Sequence, residues 1–272
     1  MAEKLDIGEL AARVPDGASV ALAPDYSGCA LAVVRALIRR RARRLHLIGV
    51  PQLGLQADLL IGAGCVASLE AAAVTLGEQG PAPRFVAAIR AGSIKMRDST
   101  CPAIHAGLLA AEKGVPFMAL RGVLGSDLLR HRPDWHVIDN PFTADDPILI
   151  VPAIRPDVAL FHAARADRAS NVWVGVQREL MRMAHAAKTT LVTAEEIAGD
   201  DLLADDTTAA GTIPALYVSA IAQARHGAWP IGLRHTYPAD LEHLRRYAEL
   251  ARDEAGFARY LDEFVFERVV AK

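Results

Sequence analysis

Short apolar stretches alternate with amphipathic ones along nearly the whole chain, and that rhythm limits the fold more than any other feature. Residues 20–22, 45–50, 65–69, 93–96, 148–151, 158–161 and 189–193 read as strands. Residues 5–14, 30–40, 53–61, 84–91, 102–113 and 177–187 carry apolar side chains at helical spacing. Gly92 and Gly114 stand where two of those helices should stop. Strands that are apolar throughout are buried on both faces. The pattern therefore implies an α/β fold, an open and mostly parallel sheet with helices on both faces. Residues 1–272 read as a single domain of this kind. The rhythm lapses between Leu120 and Asp146, where Gly125, Pro133 and Pro141 predict an Ω-type loop or a flap. The charged tail over residues 239–269 reads as helical. Its apolar stripe of Phe257, Tyr260, Leu261, Phe264 and Phe266 is expected to pack on the sheet or on a partner.

Charge and composition exclude several classes of partner. The formal net charge is −2 and aromatics are only 6% of the chain, so neither counterion release nor base stacking favours a nucleic acid. The basic run Arg39-Arg40-Arg41-Ala42-Arg43-Arg44 could meet a phosphate-rich ligand, but it fits a helix C-terminus, where cations oppose the dipole. Cys29, Cys65 and Cys101 form no CxxC pair or metal-spaced cluster. They suit a reduced, cytoplasmic protein with no metal site. The first residues lack the apolar core of a signal peptide, and no apolar run approaches the length needed to cross a bilayer.

The junction after the first strand, Ala23-Pro24-Asp25-Tyr26-Ser27-Gly28-Cys29-Ala30, lies where α/β proteins hold ligands against a helix N-terminus. A second junction follows residues 158–161, where His162, Arg165 and Asp167 come directly after an apolar strand. That places charged groups at the ligand edge of a parallel sheet. A salt-bridged turn is the alternative, with Arg165 paired to Asp167 and Asn171 in a left-handed position.

The segment "VPAIRPDVALFHAARADRASNVWVG" resembles the α-subunit of family I coenzyme A transferases, where Pro-Ala-x-Arg-Pro-Asp-Val-Ala-x-x-His is characteristic. "DLLIGAGCVASLEAAAVTLG", "GVPFMALRGVLGSDLL" and "VTAEEI" resemble further α-subunit elements in the same order. "HGAWP" and "EAGFARYLDEFV" resemble the glutaconate-transferase-like branch. The resemblance covers nearly the whole chain. It implies transfer of CoA between carboxylic acids through an anhydride and then a glutamyl–CoA thioester, with a CoA thioester as substrate and no metal or redox cofactor. It also implies that the nucleophilic glutamate lies on a β-type partner, in an α2β2 heterotetramer. No segment here has the β-subunit pattern around such a glutamate, so no catalytic residue is assigned to this chain.

Two departures stand out. The family's first turn commonly reads Gly-Gly-Phe, three residues, then Gly-x-Pro. Here Ala23-Pro24-Asp25 and, after two residues and not three, Gly28-Cys29-Ala30 are aligned with those places. The double glycine is gone, Pro24 removes a backbone donor, and Asp25 adds a negative charge. Either the ligand differs or the turn only shapes a wall. Ser27 could donate a hydrogen bond to a ligand or cap the following helix. The second departure bears on a hydrolase branch that opens CoA-thioester rings with an acidic residue after an "AGxIE" element. Residues 91–107, "AGSIKMRDSTCPAIHAG", have lost most of that acidity. Cys101 stands there as a possible thiol nucleophile at a helix start. Asp25, Ser27 and Gly28 are expected to border an acyl pocket, with Arg121 and Asp127 beside it. Hydrolysis, and ligand binding without catalysis on the same fold, are the alternative functions.

Overall fold

The computed structural model describes residues 2–267, and Arg268 and Val269, at the end of the expected tail, lie outside them. The chain enters along Glu3–Lys4 (β1) and turns into helix α1, Ile7–Ala12. Asp6 fixes that helix start through a reciprocal cap: its carboxylate accepts the Glu9 N–H, and Glu9 accepts the Asp6 N–H. Strand–helix units follow: β2 (Ser19–Leu22), α2 (Leu31–Arg39), β3 (Leu45–Gly49), α3 (Leu55–Gly62), β4 (Val66–Ala71), α4 (Pro83–Arg90) and β5 (Lys95–Asp98). Helix α5 (Cys101–Glu112) leads to β6 (Phe117–Leu120), α6 (Leu128–His131), β7 (His136–Asp139) and β8 (Pro147–Pro152). The chain then returns through β9 (Val158–Asp167), β10 (Val172–Trp173), α7 (Arg178–Ala186), β11 (Thr189–Ala198), α8 (Asp206–Ala209), β12 (Thr212–Ile213) and β13 (Ala220–Gln223). Helices α9 (Leu241–Leu250) and α10 (Glu254–Phe264) close it.

The expected open parallel sheet is present. Its order is β1-β13-β11-β9-β2-β3-β4-β5, and every neighbouring pair along that path is parallel. Alternate residues of each strand feed two cores. Val20, Leu22, Leu47 and Leu160 face helices α2 and α3 and the terminal pair, whereas Ala21, Ile48, Ala159 and Phe161 face α5 and α7.

The 120–146 stretch is not a loop. β6, β8 and β7 form a separate antiparallel sheet, with Phe117 opposite Pro152 and His136 opposite Ile150. Met118, Leu120, Leu149 and Val151 turn inward over Trp135 and Ala103. So the strand expected at residues 148–151 exists, but it belongs to this second sheet. The strand expected at residues 158–161 runs on to Asp167, because β10 pairs antiparallel with its far end.

The tail forms two helices rather than one. Asp240 accepts the His243 N–H at the start of α9, and Asp253 accepts the Gly256 N–H at the start of α10. The pair packs on the chain's own core: Tyr247, Phe257 and Tyr260 are buried, and the Tyr247 phenol donates to Asp58 at 2.7 Å. Gly62 makes room for this, since a Cβ there would sit 2.5 Å from the Phe257 ring. In the basic run, Arg40 does not serve its own helix. It donates to the carbonyls of Ala11 and Val14 at the end of α1.

Candidate functional site

The carboxyl ends of β2, β9, β11 and β13 meet at one edge of the large sheet, and the turn after β2 is the innermost piece of it. That turn spends its polar groups on the protein. The Asp25 carboxylate accepts the Leu55 N–H at 3.0 Å, so it caps the start of α3. Gly54 allows the approach, since a Cβ there would lie 2.1 Å from an Asp25 oxygen. The Cys29 thiol lies 3.6 Å from Asp25 on the other side. Burial pushes the Asp25 carboxyl up to about 6, and those two donors oppose the shift without cancelling it.

Ser27 is fully buried and donates to Glu179 on α7. It does not cap α2, whose N-cap is Ala30 with no side-chain bond. Gly28 is demanded by packing. Its φ is +86°, its carbonyl accepts the His162 N–H at 2.8 Å, and a Cβ would stand 2.2 Å from the His162 carbonyl oxygen. The Ser27 N–H goes to Pro24 and the Ala30 N–H to Gln56. Two of the turn's amides are thus turned to the protein, and Pro24 has none to offer.

Behind that turn is a polar knot that no sequence pattern assembles. His162 on β9 and Glu195 on β11 each fall within a family-like motif, but the motifs do not join them. The His162 Nε2 and Glu195 Oε1 are 2.8 Å apart, and His162 Nδ1 meets the Thr193 hydroxyl at 2.8 Å. The same Glu195 oxygen accepts the Tyr237 hydroxyl at 2.7 Å and the Gly227 N–H at 3.0 Å, and its other oxygen accepts the His226 N–H at 2.7 Å. Burial opposes ionisation of Glu195. Hydrogen bonds from His162, Tyr237 and His226 outweigh it and hold the carboxyl down to about 2. Burial and the Glu195 bond both push the Tyr237 phenol upward. Only the helical and strand periods are visible in a sequence. Nothing in "RHTYPAD" says that Tyr237 returns to Glu195.

The second junction also differs from expectation. Arg165 pairs with Asp200, not Asp167. Asp167 accepts both the main-chain and side-chain N–H groups of Asn171, and Ser170, with φ +73°, takes the left-handed position.

Arg121 and Asp127 belong to the small antiparallel sheet and its connection. Arg121 forks onto Asp146 through two bonds, and Asp127 pairs with Arg130 at 2.9 Å. Neither bonds to the 23–30 turn. Cys101 is exposed in the first turn of α5, where Thr100 caps the helix.

Concave surface gathers around Tyr26, which is 62% exposed. On one side a cleft of about 390 Å3 opens between Asp25, Gln52, Leu76, Ile231 and Leu244. On the other a shallower hollow of about 580 Å3 runs along residues 232–238. A third recess reaches Trp173 and Gln177 from Leu233 and His235. The Tyr237–Glu195 bond anchors the segment shared by these hollows. Asp25 is, among the described residues, the one carboxylate lining any of the three. Among the described residues no three His, Cys, Asp or Glu side chains are grouped to hold a metal ion.

A family model for Coenzyme A transferase matches residues 4–224. The chain is 33% identical over 273 residues to the A-type subunit of 3-oxoadipate CoA-transferase from Pseudomonas knackmussii, across 97% of this chain and 94% of that one. This chain belongs to the coenzyme A transferase family. The crystal structure of glutaconate coenzyme A-transferase from Acidaminococcus fermentans superposes with a TM-score of 0.90 at 25% identity, covering 98% of this chain and 90% of that one. A variant of the decarboxylase AibA/AibB superposes with a TM-score of 0.85 at 31% identity, covering 96% of this chain and 98% of that one. The resemblance to α-subunits of CoA-transferases is thus borne out, and the parallel-sheet architecture with it. In this CoA-transferase chain the first turn keeps its place in the fold while Ala23 and Pro24 replace the expected glycines and Asp25 follows them.

Proposed function

We propose that this CoA-transferase chain supplies one wall of an acyl-CoA site whose nucleophile comes from a β-type partner. One observation carries the reading: among the described residues no glutamate lines any of the three hollows at the carboxyl edge. Two glutamates behind this edge are already engaged. Glu195 receives four donors, and Glu179 receives Ser27. A carboxylate held down to about 2 by such bonds is a poor nucleophile.

The partner's glutamate carboxylate attacks the thioester carbonyl and expels CoA thiolate, leaving an acyl–glutamyl anhydride. The thiolate then attacks the glutamyl carbonyl. The acyl group departs as a free carboxylate, and a glutamyl–CoA thioester remains. An acceptor acid takes CoA by the reverse steps. Binding of the remote CoA moiety helps at the reacting centre. The working assembly is an α2β2 heterotetramer of the cytoplasm, with a CoA thioester as substrate and no metal or redox cofactor. Asp25, Ser27 and Gly28 shape the wall, Ser27 and Gly28 from behind it. Arg121 and Asp127 act on the site through the small sheet and not by direct contact with the turn.

The test is co-expression with the neighbouring β-type chain, then incubation with a panel of acyl-CoAs and borohydride trapping. CoA exchange that depends on an acceptor acid, with the trapped group on a partner glutamate, is expected. Free CoA released without an acceptor would indicate hydrolysis instead. A trapped group on this chain, at Cys101 or any glutamate, would overturn the division of labour.

A further inference from the structure

The cleft between Asp25 and Leu244 limits which acyl groups it can take. Its walls are Leu53, Leu76, Ile231 and Leu244, with Gln52 and Thr75 as uncharged polar groups. Among the described residues no Lys, Arg or His lines it. Its single charged group among the described residues is Asp25, and no cation there offsets it: its contacts are the Leu55 N–H and the Cys29 thiol. The charge that acts on Asp25 is that of another carboxylate, Asp58, which also disfavours its ionisation. A volume of about 390 Å3 suits a small acyl chain. An anionic terminus there would lose its water, meet a like charge and find no counter-ion.

The geometry points to an acyl group that is uncharged at its far end, an aliphatic chain without a second carboxylate, with Asp25 as the specificity-determining residue that excludes dicarboxylyl thioesters. The inference rests on the reading of this edge as an acyl-CoA site. It departs from the relatives named for 3-oxoadipate and glutaconate, both dicarboxylic acids. Cations do exist nearby, but in the hollow beyond Tyr26, where Arg234 and His235 lie and bond to each other at 3.1 Å. They line the outer hollow and not the cleft.

Binding decides this independently of turnover. Thioether analogues of butyryl-CoA and glutaryl-CoA, which cannot react, are titrated calorimetrically into the complex with its β-type partner. The uncharged analogue is expected to bind at least about tenfold tighter, a difference of about 1.4 kcal/mol. Gln52→Arg leaves the Asp25 cap intact and should narrow or reverse the ratio. Asp25→Asn should narrow it too, with a melting curve reporting any loss of the α3 cap. Tighter binding of the dicarboxylyl analogue by the wild-type complex overturns the inference. If Arg234→Ala then abolishes that preference, recognition lies in the outer hollow; if it persists, the partner supplies the cation. CoA transfer failing with every thioester would count against the proposed reaction, while the binding ratio would still judge the acyl class.

Discussion

Tyr237 donates its hydroxyl to Glu195 across 2.7 Å, and the same hydroxyl accepts the Ala228 N–H at 3.1 Å. One phenol thus ties the segment lining the hollows to the end of β11 and to the turn after β13. Tyr237→Phe removes both bonds and keeps the ring. Hydrogen bonds to charged groups contribute about 1.5–3 kcal/mol, and a loss in that range is expected by urea denaturation. The displaced wall should also raise KM for the acyl-CoA more than it lowers kcat. An unchanged midpoint would show that the segment is held by other contacts.

The same knot sets a pH dependence. The folded Glu195 carboxyl lies near 2, below its ordinary 4.5. A depressed acid stabilises the fold fully above its unfolded pKa, and that contribution drains away as pH falls from about 4.5 towards about 2. Glu195→Gln puts an amide N–H against the His226 N–H or the donors opposite, so it should melt well below wild type at pH 7. The gap between the two proteins should close as pH approaches 2. Asp157 also lies near 2, held by Lys188 and Ser19, but it is common to both proteins and cancels in the difference. A gap that stayed constant with pH would assign the loss to packing and not to charge.

Gly28 and Gly17 both have positive φ, +86° and +78°, yet their substitutions should differ sharply. A Cβ on Gly17 meets nothing within 4 Å, so Gly17→Ala carries only the left-handed backbone penalty, about 1 kcal/mol. A Cβ on Gly28 would meet the His162 carbonyl oxygen at 2.2 Å. His162 is held in β9 opposite Thr193 of β11, and its N–H is bonded to the Gly28 carbonyl, so neither backbone can retreat without breaking hydrogen bonds. The overpacking adds to the backbone term, for roughly 3 kcal/mol or more in total. Chemical unfolding of the two variants side by side checks the contrast.

These cases show what a sequence can disclose. The parallel sheet is legible because β2, β3, β9 and β11 carry apolar runs, and buried strands read as such runs. The small sheet is not. β6 is an apolar run, Phe117 to Leu120, yet alternate residues of it are exposed, and β7 has only Val137 and Ile138 between His136 and Asp139 and is exposed throughout, so nothing local pairs the two through β8. Gly28 is legible as a turn position but not its reason, because the opposing atom belongs to His162, far along the chain on β9. Ser27 reads as a ligand donor or a cap. Its partner Glu179 sits on a helix 152 residues away, and no local spacing encodes that. The first turn's lost glycines are visible at once, whereas the cation-free cleft in front of Asp25 needs the fold.

The ion pair between Glu70 and Arg132 yields the last prediction. Glu70 lies near the end of β4, Arg132 follows α6, and their 2.8 Å contact joins the large sheet to the small one. Arg132 is 3% exposed, bonds to the Asp98 carbonyl at 2.9 Å, pairs with Asp134 and stacks 4.2 Å over Trp135. Removing one member of a buried pair costs about 3–5 kcal/mol, because the other is left charged without compensation. The two removals should not be equal here. Without Arg132, Glu70 keeps only Arg97 at 3.6 Å. Without the Glu70 charge, Arg132 keeps Asp134 and the Asp98 carbonyl. Arg132→Met should therefore destabilise more than Glu70→Gln, and the double variant should recover part of the loss. A double-mutant cycle by urea denaturation measures the coupling. Equal single losses that simply add would mean that the two sheets are joined by the apolar layer of Trp135, Leu149 and Val151 and owe nothing to this pair.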